Sequence, residues 1–115
     1  MTLGDTQREF TLAIGKLILY TYGFGYELTF GDAYRDDRVH GEFDEKKSYS
    51  AGKSVHKIRL AVDFNLFVSG VWIQDGEHKA WKELGTYWKT LHALACWGGD
   101  FKDANHFSFT YWGCK

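Results

Sequence analysis

Proline is absent from the 115-residue sequence, and cysteine occurs only twice. Glycine must therefore provide most of the tight turns, and the thirteen glycines lie between segments of regular periodicity. Cys96 and Cys114 are too few for a disulfide scaffold, and neither has the spacing of a metal-binding cysteine. We expect two reduced thiols, with a disulfide formed after release into an oxidising compartment as the alternative.

Long hydrophobic runs and an excess of one charge are absent as well. Lys16 interrupts the most apolar stretch, so we expect no membrane span. Asp5, Arg8 and Glu9 precede that stretch without a net positive charge, so it is a poor signal peptide and predicts a cytoplasmic location. The net charge is −1 and the basic residues are scattered, which argues against a nucleic-acid partner. The length predicts one domain over residues 1–115, which we expect to be a monomer.

Apolar residues recur at helical intervals in two segments. In residues 5–22 they predict an amphipathic helix that covers the core and ends at Gly23. In residues 77–96 they predict a second helix, ended by a glycine pair. His78 and His92 are predicted to lie on this second helix, at the surface or the edge of the core rather than at a metal ion.

Shorter segments predict strands and loops. Residues 25–30 favour a short strand, and residues 67–73 favour a hairpin that turns at Ser69 and Gly70. Residues 36–53 are charged, small and polar, which is typical of a solvated loop.

Residues 58–66 alternate between an apolar face and a face that carries a carboxylate. The apolar face contains Ile58, Leu60, Val62, Phe64 and Leu66, and the other face contains Arg59, Ala61, Asp63 and Asn65. His56 is an odd number of residues from Asp63, so the two cannot lie side by side on one regular strand. We therefore predict that His56 lies in the loop that enters the strand.

A second alternating segment begins at His106, whose ring is predicted on the less apolar face. If the two strands are neighbours, His56, Asp63 and His106 can converge. Two imidazoles and a carboxylate leave a fourth tetrahedral position for water, as in a catalytic zinc site. Asp103, three residues before His106, could then take a proton from that water.

Three other interpretations of these residues remain open. The cluster could be a hydrogen-bonded polar group that braces the sheet. It could also belong to a module that retains zinc and binds a peptide without cleaving it, although such a module would have little need for an acid at Asp103. A structural zinc site would favour four protein ligands that include cysteines, which this sequence does not arrange.

The spacing resembles that of the M15 family of zinc D,D-carboxypeptidases and peptidoglycan endopeptidases. The family signature is Ser-x-His-x6-Asp followed by Asp/Glu-x-x-His, and it is matched here by Ser54, His56, Asp63, Asp103 and His106. The segments at 31–35 and 97–101 are also similar to the family, and the similarity spans about residues 25–110. Arg59 departs from the signature, which has glycine there; we predict that Arg59 lines the cleft or pairs with a carboxylate.

The resemblance implies an α+β fold of the Hedgehog/D,D-peptidase type, with a small antiparallel sheet and packed helices. It implies that His56, Asp63 and His106 bind Zn²⁺, that Asp103 is the catalytic base, and that Arg35 stabilises the oxyanion. The implied partner is the peptidoglycan stem peptide, cut at the L-Ala–D-Glu bond as by a bacteriophage or prophage endolysin released to the cell wall. The alternatives are D-Ala–D-Ala carboxypeptidase activity or a non-catalytic wall-binding module.

Overall fold

The computed structural model describes residues 2–31 and 59–111. The predictions for Arg35, His56 and the loop at 36–53 fall outside the described residues, as does Cys114. Within the described ranges, no helix combines the length and the apolar character that a membrane span requires.

The first helix, α1, spans Leu3–Gly23 and confirms the prediction of an amphipathic helix in this segment. Thr2 begins it with a capping box: its hydroxyl accepts the Asp5 N–H, and the Asp5 carboxylate accepts the Thr2 N–H. The hydrogen bonds from Thr2 hold the pKa of Asp5 below its usual value. One side of the helix is buried, through Thr6, Phe10, Ala13, Ile14, Leu17 and Thr21.

The strands form one five-stranded antiparallel sheet. Its members are β1 (Glu27–Phe30), β2 (Ala61–Val68), β3 (Val71–Trp72), β4 (Ala95–Trp97) and β5 (His106–Phe109). The order is β1-β2-β5-β4, and β3 pairs with the end of β2. The predicted hairpin is confirmed, since Ser69 (φ 53°) and Gly70 (φ 78°) make the two-residue turn between β2 and β3.

The predicted α+β class is confirmed, because helix α1 and a second helix, α2, accompany the antiparallel sheet. The core contains Phe10 of α1, Trp88 of α2 and Phe109 of β5. Phe10 meets both other rings edge-on, at centroid distances of 5.7 Å to Trp88 and 5.1 Å to Phe109. The side chains of α1, α2 and β5 therefore share one core.

Helix α2 spans Lys79–Lys89, so the prediction of a helix over residues 77–96 was wrong at its end. The helical spacing continues to residue 95 in the sequence, but Ala95–Trp97 forms β4 and pairs with β5. Trp88 supports this strand, since its indole N–H lies 3.1 Å from the Cys96 carbonyl oxygen and 3.2 Å from that of Ser108. The glycine pair at 98 and 99 consequently follows a strand and does not end the helix.

Two side chains that were predicted on α2 also need correction. His78 is the N-cap, with its Nδ1 atom accepting the Ala80 N–H at 3.0 Å. His92 lies beyond the end of the helix, in the segment that leads to β4.

Candidate active site

The register of β2 and β5 places Asp63 directly opposite His106. The Oδ1 atom of Asp63 lies 3.0 Å from the Nδ1 atom of His106. The imidazole side chain is 7% exposed and the carboxylate 20% exposed, so most of the pair is removed from water. The structure therefore brings together two of the three predicted metal ligands, because the predicted neighbouring strands do pair.

A short 3₁₀ turn at Gly98–Phe101 leads to Asp103 and His106. The Asp103 N–H donates to the Gly98 carbonyl at 2.8 Å, and the His106 N–H donates to the Asp103 carbonyl at 3.0 Å. A Cβ atom on Gly98 would lie 2.1 Å from the Asp103 carbonyl oxygen and 2.7 Å from the His106 Cβ. Only glycine fits at residue 98, so this close approach helps to define the position of both residues.

Trp97 packs against the same turn from the other side. Its indole N–H donates to the Ala104 carbonyl at 2.7 Å, and its ring is buried. A Cβ atom on Gly85 would lie 2.1 Å from the Trp97 ring, and one on Gly99 would lie 2.2 Å from it. Trp97 is thus a core residue that anchors the turn.

Arg59 was predicted on the strand face that carries Asp63, and this prediction was wrong. The strand begins at Ala61, and Arg59 lies before it with a φ of 59°. A left-handed backbone conformation interrupts the alternation of an extended strand, so the face of Arg59 does not follow from its spacing to Asp63.

A cleft of about 380 Å³ opens beside Asp103. Asp103 is exposed and lines this cleft together with its neighbour Lys102. The side chain of Trp72, at the end of the hairpin, reaches the same cleft and is 52% exposed. Among the described lining residues are Asp103, Lys102, Trp72, Asn65, Gln74 and Asn105, whereas Asp63 and His106 lie outside this set.

Sequence reasoning did not predict Lys102 and Trp72 as cleft residues. The sequence alone has no signal for them, since their proximity depends on how the hairpin and the turn are placed along β2. Asp100, at the 3₁₀ turn before Asp103, forms an exposed ion pair with Lys89, with 3.1 Å between Oδ2 and Nζ.

The donor atoms of Asp63 and His106 suit a zinc ion. Tetrahedral bonds of about 2.0–2.1 Å separate two donor atoms by roughly 3.3 Å, and the observed separation is 3.0 Å. In the parts of the chain that the structure describes, no three His, Cys, Asp or Glu side chains form a group that could hold a metal ion. The predicted third ligand, His56, lies outside those parts, so the structure describes two of the three predicted zinc ligands, Asp63 and His106.

Comparison with known proteins identifies the family. The structure is similar to the crystal structure of Serratia marcescens L-Ala D-Glu endopeptidase ChiX, with a TM-score of 0.56 and 21% sequence identity over 73% of this chain and 67% of that one. No curated protein matches the sequence. The M15 peptidase family described as D-alanyl-D-alanine carboxypeptidase matches residues 48–109. Because this match covers more than half of the sequence and includes both strands of the site, the chain belongs to the M15 family of peptidases.

Proposed function

We propose that this protein is a zinc-dependent peptidase that hydrolyses the L-Ala–D-Glu amide bond of the peptidoglycan stem peptide. The observation that carries the proposal is the pairing of Asp63 with His106 across β2 and β5, at 3.0 Å. Asp103 lies three residues before His106 in the sequence and is exposed at the cleft. Two potential ligand residues and an exposed acid on the segment that leads into β5 are the components that metal-assisted hydrolysis requires.

Asp63 and His106 would hold the zinc ion together with His56. When bound, zinc supplies Lewis acidity, which makes water an effective nucleophile near neutral pH and polarises the amide carbonyl. Asp103 accepts a proton from the attacking water and donates it to the amide nitrogen as the C–N bond breaks, so a carboxylate and an amine leave. Arg35, proposed from the family resemblance, stabilises the negative charge that develops on the carbonyl oxygen.

The frame around Asp103 supports its role as the base. Its main-chain N–H and carbonyl are both bonded, to Gly98 and to His106, while its side chain is at the surface of the cleft. The backbone is thus held while the carboxylate remains accessible to a substrate. A base held in this manner needs little rearrangement when the substrate arrives.

A second candidate is removal of the terminal D-Ala from a D-Ala–D-Ala stem peptide. The observation in its favour is the description of the matching family as D-alanyl-D-alanine carboxypeptidase. The two reactions use the same hydrolytic chemistry and differ in the residues on either side of the cleaved bond.

Digestion of purified peptidoglycan, followed by mass analysis of the products, tests the proposal. The protein is assayed as purified, after treatment with a chelator, and after zinc is restored. We expect new amino termini on D-Glu that disappear with the chelator and return with zinc. Loss of a single terminal D-Ala would favour the second candidate, and bound zinc without any product would support a wall-binding module.

A further inference from the structure

Lys102 adopts a backbone conformation that is unfavourable for lysine. Its φ and ψ are 66° and 32°, in the left-handed region that glycine and asparagine enter most easily. The conformation is disfavoured for lysine because it brings the Cβ atom too close to the following carbonyl oxygen. A turn that needed only this conformation would be better served by glycine, so the lysine side chain is the feature that requires a reason.

The side chain of Lys102 has an environment suited to an anionic ligand. Lys102 is exposed and lines the cleft immediately before Asp103. Over residues 2–31 and 59–111, no carboxylate forms an ion pair with its ammonium group. Among the described lining residues Lys102 is the sole cation, and neutral groups such as Asn65, Gln74 and Trp72 make up most of the rest.

The two candidate bonds share one chemical feature. In each, the nitrogen that leaves belongs to a D-amino acid with a free α-carboxylate, which is either D-Glu joined onward through its side chain or the terminal D-Ala. That carboxylate is attached to the carbon beside the nitrogen that Asp103 protonates. Lys102 and Asp103 line the same cleft, so the Lys102 side chain can reach a carboxylate that is bound there beside Asp103.

We propose that Lys102 is a specificity-determining residue that binds the α-carboxylate of the D-residue on the amine side of the cleaved bond. The inference rests on the proposed function and deepens it. An ammonium group forms a short, charge-assisted hydrogen bond with a carboxylate and loses most of that interaction when the ligand is a neutral amide. The cleft thus selects stem peptides in which this carboxylate is free.

The test uses two synthetic stem peptides that differ only at this group, one with the free α-carboxylate and one with its primary amide. The kcat/KM of the zinc-loaded protein is measured for both peptides, with wild type, Lys102→Gln, Lys102→Arg and Lys102→Gly. We expect wild type to prefer the free acid by roughly tenfold or more, in line with one charge-assisted bond. Lys102→Gln and Lys102→Gly should lose the preference by cleaving the acid more slowly, and Lys102→Arg should retain part of it.

Lys102→Gly shows whether a loss of preference could be caused by a loss of stability. Glycine relieves the left-handed strain, so this variant should unfold at the same temperature as wild type or higher. Lys16→Gln, an exposed substitution on α1, is the control for the loss of one positive charge and should change neither rate.

If the Lys102 variants lose kcat/KM equally on both peptides, the proposal is overturned, because Lys102 would then act on Asp103 or on the turn. An unchanged preference in Lys102→Gln would overturn it as well. If wild type cleaves neither peptide, the proposed function fails, and the dissociation constants of the two intact peptides replace the rates. Tighter binding of the acid that is lost in Lys102→Gln would still support the role of Lys102, and equal binding would refute it.

Discussion

Two histidine–carboxylate pairs of similar length occur in the described part of this protein. His106 Nδ1 lies 3.0 Å from Asp63 Oδ1, and His92 Nε2 lies 2.7 Å from Glu9 Oε1. The first pair joins two strands of the sheet, whereas the second joins α1 to the segment after α2. Distance alone would rank the two pairs equally as candidates for chemistry.

The two pairs differ in what surrounds each histidine. The other ring nitrogen of His92 accepts the Leu94 N–H at 3.0 Å, and the ring stacks on Phe109 at a centroid distance of 4.4 Å. Both nitrogens of His92 are thus used by the protein, and its role is to hold helix α1 against the core. His106 lies instead at the start of β5, directly after the turn that presents Asp103 to a cleft. A candidate site is therefore recognised by what the histidine and its neighbours can reach.

The sharpest test of this difference is to remove each imidazole in turn. We expect His106→Ala to lose bound zinc and to reduce hydrolysis to background, because one of the proposed ligands is gone. His92→Ala should retain zinc and activity. Zinc content measured by elemental analysis, together with the peptidoglycan assay, checks both results. Retention of zinc and turnover by His106→Ala would exclude His106 as a ligand.

A substitution at Asp103 separates metal binding from proton transfer. Asp103→Asn should bind zinc as wild type does but lower kcat by about 10²–10⁴-fold, the usual contribution of a general base. Asp100→Asn is the matched control, since Asp100 lies on the same segment and pairs with Lys89 outside the cleft. An Asp103→Asn variant with undiminished kcat would remove Asp103 from the mechanism.

The turn that supports His106 should be sensitive to a single methyl group. Gly98→Ala places a Cβ atom against a backbone oxygen at 2.1 Å, so we expect the free energy of unfolding to fall by about 2–3 kcal/mol, as in overpacked cores. Gly15→Ala on α1 meets nothing within 4 Å and should raise stability, by about 1 kcal/mol, through better helix propensity. Urea denaturation measures both; an unaffected Gly98→Ala would show that the turn can move.

The smallest effect is expected at the second pair. Glu9→Gln should lower the free energy of unfolding by about 1 kcal/mol or less, because the Glu9 side chain is 45% exposed and water competes for the contact. A double-mutant cycle with His92→Gln isolates the interaction between the two side chains. Any change in zinc content in these variants would contradict the assignment of this pair to stability alone.

The elements predicted correctly are those that depend on neighbours in sequence. Helix α1 follows from apolar residues on one side of a continuous segment, and the hairpin follows from the turn at Ser69 and Gly70. The alternation in β2 is confirmed from Val62 to Leu66, where buried Val62, Phe64 and Leu66 alternate with half-buried Asp63 and Asn65, whereas Ala61 is buried although it was predicted on the less apolar face. Each of these patterns is contained within a few turns or strand residues, where local sterics and burial act together.

The incorrect predictions concern segments whose structure depends on more than the local hydrophobic pattern. The apolar spacing that suggests a longer α2 fits a helix as well as it fits a strand, and pairing with β5 selects the strand for Ala95–Trp97. Arg59 was placed on the wrong element because its left-handed backbone leaves no trace in the hydrophobic pattern.

The same division applies to the candidate site. Residue types and their joint spacing, which match the family signature, were enough to propose Asp63, Asp103 and His106 as candidates; their roles stay predictions. Asp63 and His106 are 43 residues apart in the chain, and that they face each other at 3.0 Å depends on the register of β2 and β5. The position of Lys102 at the cleft depends likewise on a turn held by Gly98 and Trp97. Sequence patterns predict which residue types could form a site and which side chains are buried locally. Strand register and turn packing depend on contacts that form only when the whole sheet assembles.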